Sequence, residues 1–557
     1  MNSFLQWRKI TVNRIRNNQI YRNVRWHKNK IACLEIKAYL WSALNQIFIK
    51  TNTMYKIFRG FHLVETYQEL KKAKRLAEKR IVSRGIKLAV AIMVSLVLWF
   101  LPVETFGVAG LTIIEQRLIS IFAFATLMWI FEAIPAWTTS VLIVVLLLLT
   151  VSDSSLWIFT HNIPVEELGQ TVKYKSIMHC FADPIIMLFI GGFILAIAAT
   201  KSGLDILLAR SMLKPFGTQS RYVLLGFILV TAVFSMFLSN TATAAMMLTF
   251  LTPVLKALPA DGKGKIGLAM AIPVAANVGG MGTPIGTPPN AIALKYLNDP
   301  EGLNLNIGFG EWMAFMLPYT VVILFIAWFV LLRLFPFKQK KIELQIEGEA
   351  KKDWRSIVVY VTFAITVLLW MSDKFTGVNS NVVAMIPVAV FCVTGVITKR
   401  DLEEISWSVL WMVAGGFALG VALQETGLAK HMIEAIPFNT WPPILMVVGS
   451  GLICYTMANF ISHTATAALL VPILAIAGIS MRDNLLPLGG VATLLIGVAL
   501  GSSLAMVLPI STPPNALAHA TGMIQQKDME KVGLIIGGVG LVLGYFMLVM
   551  LGSNGLL

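Results

Sequence analysis

Two seven-residue stretches, 223 positions apart, constrain this chain more than any other feature. Ser239–Asn240–Thr241–Ala242–Thr243–Ala244–Ala245 and Ser462–His463–Thr464–Ala465–Thr466–Ala467–Ala468 differ at one position. Thr287–Pro288–Pro289–Asn290–Ala291 returns 225 positions later as Thr512–Pro513–Pro514–Asn515–Ala516. Gly191–Gly192–Phe193 and Gly415–Gly416–Phe417 are 224 apart, as are Gly203 and Gly427. Four marks in one order at nearly one offset make a duplicated unit, so the chain folds as two related halves.

The halves are built for a bilayer. Of 557 residues, 57% are hydrophobic and 13% charged, against about 25% charged in soluble domains. A single soluble core stops growing beyond roughly 250–300 residues. An ordinary soluble enzyme, a disordered chain and a secreted disulfide scaffold are excluded. Runs long enough to span (about 20 residues) recur at 87–103, 117–134, 137–151, 221–256, 266–281, 312–335, 356–372, 381–398, 443–477, 487–508 and 532–552. The expected fold is an all-α polytopic membrane protein with about 11 transmembrane helices. Two shorter Gly-rich stretches, 184–200 and 408–424, read as two re-entrant hairpins; such backbone is tolerated only when buried in protein or facing a cavity. The first Ser-Asn-Thr lies in the fourth span and its partner in the ninth. Five spans is an odd number, so the halves point opposite ways. Inverted repeats of this kind build secondary transporters, with substrate at the repeat interface.

Charge is uneven. Residues 1–90 hold 20 basic and 4 acidic residues, which accounts for the whole net +16. This reads as a basic cytoplasmic arm, 1–86, under the positive-inside rule; no folded nucleic-acid reader follows it. Within it, 1–53 is either a genuine arm or an extension upstream of a start at Met54. The first repeat is 87–335, the linker 336–355 is cytoplasmic with six basic residues, and the second repeat is 356–557. Eleven crossings place the carboxyl terminus outside. Arg210, Lys214 and Arg221 conflict with that count, since they fall outside as well. Cys33, Cys180, Cys392 and Cys454 have no metal spacing and read as small apolar fillers.

The polar breaks carry the chemistry. A straight helix over 221–256 is about 54 Å long, against a hydrocarbon core of ~30 Å. A break at Ser239–Thr241 resolves the excess, because Ser, Asn and Thr cap helices. The helix after the break then starts inside the membrane with its positive dipole end toward a cavity. Asn240 and Thr241 can donate to a carboxylate; Ser239 and freed carbonyls can coordinate Na⁺. Proline at 288 and 513 stops the preceding helix, and the Gly279–Gly286 run exposes carbonyls. Thr287, Asn290 and the following helix start suit an anion, and Thr512 to Asn515 mirrors them. Packing and kinking explain one such motif, but poorly explain duplicated ones in inverted halves.

At these residues the chain resembles the divalent anion:sodium symporter family, the dicarboxylate, citrate and sulfate carriers. The resemblance covers about residues 87–555. It implies an elevator-type transporter in the cell (inner) membrane, commonly a homodimer. It implies substrate contacts at Ser239, Asn240, Thr241, Thr287, Pro288, Asn290, Ser462, His463, Thr464, Thr512, Pro513 and Asn515, and a Na⁺ site at Ser235, Ser239, Asn240 and Gly286. The chain departs from the pattern in the second half. His463 replaces the expected Asn, and Ala458 stands where the repeat has Ser235. A second Na⁺ site is thereby in doubt. His463 is either a neutral donor to substrate or a titratable stand-in for a cation, the latter favouring exchange.

The expectation is a secondary carrier of small di- or tricarboxylates, such as succinate, malate or fumarate, by Na⁺ symport. Its alternatives are Na⁺-independent exchange and sulfate transport. An enzyme is not expected: no paired acids or His cluster point to acid–base or metal chemistry. A channel is disfavoured by the inverted repeat.

Overall fold

The computed structural model describes residues 82–556 apart from 162, 259–261, 301, 343–350, 352 and 436–439. The arm reading of 1–81 lies outside them. Regular structure among the described residues is helical. The first half comprises α1 (Val82–Phe100), α2 (Ile113–Phe131), α3 (Ala136–Thr150), α4 (Pro184–Ser202), α5 (Leu204–Leu213), α6 (Ser220–Phe237), α7 (Asn240–Ala257), α8 (Gly264–Gly280), α9 (Pro288–Leu297) and α10 (Phe309–Leu334). The second comprises α11 (Trp354–Met371), α12 (Met385–Val393), α13 (Trp407–Glu425), α14 (Leu428–Ala435), α15 (Ser450–Phe460), α16 (His463–Ser480), α17 (Gly490–Ser503), α18 (Pro513–Ala520) and α19 (Gln526–Ser553).

The stretch expected as one broken span, 221–256, is a hairpin. At the start of α6, Ser220 donates through its N–H and Oγ to Lys340 O and Gln339 O (3.0 and 2.5 Å). At the start of α8, Gly264 lies against Phe337. At their other ends, Ser235 Oγ reaches Ala276 O (2.7 Å) and Gly279 lies on Ala232. Helices α6 and α8 therefore run parallel, and α7 between them must turn back at Leu238–Ser239. The second half repeats this. Asn459 Oδ1 accepts from Val507 N (2.8 Å), so α15 runs with α17, while Gly478 of α16 packs on Val491 and Leu494 at the start of α17.

The stretches expected as hairpins, 184–200 and 408–424, are continuous helices, α4 and α13. Their Gly-Gly steps serve close packing. A Cβ on Gly191 collides with Ala384 O, and one on Gly415 meets Ser140 Cβ at 2.5 Å. Hairpins and crossings thus exchange places; among the described residues nine helices, or ten counting one bent pair, are long and apolar enough to cross a membrane, against the eleven expected. Length alone does not separate the two kinds, since α6 and α16 are as apolar and long as true crossings.

The halves are inverted. Helix α9 packs on α16 and α17 of the other half, and α18 on α7 and α8. Each Pro-started helix continues into the territory of the other repeat, which requires α8 and α17 to enter from opposite ends. The continuous α4 also removes the charge conflict by carrying the chain to the other end of the bundle: Ile342 N donates to Thr218 O (2.7 Å), putting the Lys214–Arg221 segment beside the basic linker. Lys351 N donates to Ser202 O there too (3.2 Å). We call this the basic end. Two intramembrane acids are structural. Asp183 caps α4 through Ile185 N (2.9 Å) and pairs with Lys295; Glu132 is the left-handed C-cap of α2.

Candidate functional site

Four helix starts meet inside the bundle: α7 and α16 from the hairpin tips, α9 and α18 from the Pro-Pro loops. The tips are capped alike. Ser239 Oγ accepts from Ala242 N and Ser462 Oγ from Ala465 N, both at 3.2 Å. The loops are clamped alike. Asn290 Nδ2 faces Gly280 O, Met281 O and Thr283 O (3.2, 3.2 and 2.8 Å). Asn515 Nδ2 faces Met506 O, Leu508 O and Ser511 Oγ (2.9, 3.0 and 3.3 Å). These amides, expected to contact substrate, spend their donors on loop carbonyls. Their role in the fold is to hold the unwound backbone that Pro288 and Pro513 create.

The tips diverge one residue after the cap. Ser235 Oγ lies 2.5 Å from Asn240 Oδ1 and 2.7 Å from Ala276 O. One hydroxyl proton cannot serve both acceptors. A Cβ placed on Gly280 meets Asn240 Oδ1 at 2.7 Å and Gly286 O at 3.0 Å, so only glycine lets these oxygens close together. Side-chain and carbonyl oxygens converging without a cationic side chain fit a hard cation. In the second half, His463 Nε2 lies 2.7 Å from Ala505 O. A carbonyl only accepts, so Nε2 carries the proton. Ser502 Oγ donates to His463 O (2.8 Å). With Ala458 opposite, that corner offers an N–H where the first offers oxygens.

Exposure differs as well. Thr241 and Pro513 are exposed and Ile510 is 71% exposed, whereas Thr464, His463 and Thr287 are buried at 7, 8 and 2%. Ser239, Asn240, Pro288 and Ser462 are half-buried. At the end away from the basic linker, a cavity of about 1300 Å³ lies among Asp183, Lys295, Asp373 and Lys374 and touches Pro284 of the first loop.

Sequence reasoning missed Asn277. It lies in α8 and joins the repeats, donating to Thr512 Oγ1 (3.3 Å) and Asn515 Oδ1 (3.1 Å). The available signal was a carboxamide alone among small apolar residues of a membrane helix.

Inverted halves with converging broken helices are the build of a membrane transporter. The chain belongs to the citrate transporter (CitMHS) family, whose model matches residues 126–489; it is a transporter, not an enzyme. It is 31% identical over 485 residues to an uncharacterized transporter of Haemophilus influenzae, covering 82% of this chain and 96% of that one. It is 29% identical over 469 residues to the sodium-dependent dicarboxylate transporter SdcS of Staphylococcus aureus, covering 76% and 85%. The fold is similar to the Alcanivorax borkumensis YdaH transporter (TM-score 0.50, 13% identity), covering 75% of this chain and 98% of that one.

Proposed function

We propose that the protein is a Na⁺-coupled carrier of small dicarboxylates with one cation cage, in the first half. The observation that carries this is the convergence of Ser235 Oγ, Asn240 Oδ1 and Ala276 O. Na⁺ is co-transported cargo held by Ser235, Ser239, Asn240 and Gly286. Its charge, with the N-terminal dipoles of α7 and α16, offsets an anion that meets no Lys or Arg within the motifs. Thr241, Thr464, Thr287 and Thr512 are donors to the anion. The sodium-dependent dicarboxylate relative supports the substrate class. We read the protein as a homodimer whose repeat-interface site moves past a fixed scaffold. The basic end is cytoplasmic by the positive-inside rule, which puts the amino terminus inside and the carboxyl terminus outside. The domain limits are those of the two repeats.

A second reading, exchange without Na⁺, is favoured by the loss of oxygens at Ala458 and His463. Succinate uptake into proteoliposomes separates the two. Accumulation in empty vesicles under an inward Na⁺ gradient supports symport. Uptake only into preloaded vesicles, indifferent to Na⁺, supports exchange. Transport of sulfate but not succinate overturns the dicarboxylate assignment.

A further inference from the structure

A threonine precedes each Pro-started helix, but only one of the two caps it through its side chain and has its hydroxyl direction fixed. Thr512 Oγ1 accepts from Asn515 N (3.3 Å) and from Asn277 Nδ2 (3.3 Å). A hydroxyl oxygen has two lone pairs and one proton. With both lone pairs taken by N–H donors, the proton must point elsewhere, and none of the described bonds gives it an acceptor.

The orientation of Asn277 is also determined. Asn515 Nδ2 is surrounded by Met506 O, Leu508 O and Ser511 Oγ, so Asn515 must turn its Oδ1 to Asn277. Asn277 then answers with Nδ2. Its own Oδ1 is left buried without a partner, with the residue only 1% exposed. Asn290 leaves its Oδ1 without a partner in the same way, but it turns its NH₂ to carbonyls of its own loop, whereas Asn277 presents the NH₂ across the repeat interface to Thr512 and Asn515. The other half has no such device. Ser502 stands at the repeat position of Asn277 and donates to His463 O (2.8 Å), and Thr287 makes no side-chain cap bond.

We propose that Asn277 is a positioning residue that makes the Thr512 hydroxyl an obligate donor to the transported anion. It acts across the repeat interface and selects ligand groups that only accept, such as a carboxylate. The inference rests on the substrate reading above and deepens it.

The test uses full-length protein in proteoliposomes, with succinate as probe and citrate and sulfate in parallel. Asn277→Ser copies the other half, and Asn277→Asp keeps the shape but removes the donor. Both raise KM for the anion that wild type carries by about tenfold (~1.4 kcal/mol) while leaving Vmax within about twofold. In a Thr512→Val background, Asn277→Ser raises KM no further, read by uptake and by anion protection against heat unfolding. Additive effects of the two substitutions overturn the inference, as does a fall in Vmax at unchanged KM. Failure of wild type to carry succinate refutes the substrate reading instead, and the Asn277 comparison is then made with the anion that is carried.

Discussion

The two hairpin tips are near-copies in sequence and opposites in surroundings. The first presents Thr241 to the surface and gathers oxygens at Ser235, Asn240 and Ala276; the second buries Thr464 and fills its corner with an imidazole N–H on Ala505 O. One frame, duplicated and inverted, therefore holds two different chemistries. Capping and loop clamping are shared because backbone groups freed inside a membrane must be satisfied in both halves. The oxygen cluster is not shared, because it depends on a few side chains that single substitutions replace.

The largest expected effect breaks the first tip. Asn240→Ala removes a cage oxygen and lowers Na⁺-driven uptake about ten- to hundredfold, the range of a bond to a charged group; His463→Ala leaves Na⁺ dependence unchanged. Rebuilding the second tip is the next test. Ala458→Ser with His463→Asn restores oxygen ligands and turns first-order Na⁺ activation into a sigmoidal one, measured by uptake against Na⁺ concentration.

A third comparison concerns packing. A Cβ at Gly280 strikes Asn240 Oδ1 and Gly286 O, so Gly280→Ala costs about 1–3 kcal/mol. Ala505→Gly, at the matching place, costs about 1 kcal/mol or less. Thermal unfolding in detergent reads the difference.

The smallest effect compares Lys201 and Glu425, which end corresponding helices at opposite ends of the bundle. Lys201 Nζ bonds Asp401 Oδ2 (2.6 Å), and Glu425 Oε2 accepts from Lys173 N (3.0 Å). Burial pushes the Asp401 carboxyl up, but bonds from Lys201 and Thr398 outweigh it and leave its pKa below the usual value. A lowered folded pKa contributes stability above the unfolded value, about 3.9, which is lost as pH falls through the folded one. Wild type loses more stability than Asp401→Asn on acidification below about pH 4; equal losses contradict the pairing.

Much of this was legible in the sequence. The Ser-Asn-Thr and Thr-Pro-Pro-Asn copies announce both the duplication and the four helix starts, because capping and proline chemistry are local. The placement of the hairpins was not legible. Hydropathy is the same for a helix that crosses and one that turns back at Leu238–Ser239, and a Gly-Gly step reads as a bend until Ala384 or Ser140 is seen against it. The one discordant clue was the basic cluster Arg210, Lys214 and Arg221, which the continuous α4 carries to the basic end. The loop bonds of Asn290 and Asn515 were hidden for a similar reason: composition cannot tell a donor aimed at ligand from one spent on the preceding loop.

The central claim is that only the first tip holds a cation. Dual-isotope uptake, counting Na⁺ entering with each succinate in proteoliposomes, tests it most directly. The account predicts a single Na⁺ per anion in wild type and none after Asn240→Ala. Several Na⁺ per anion, or a ratio unaltered by Asn240→Ala, contradicts it.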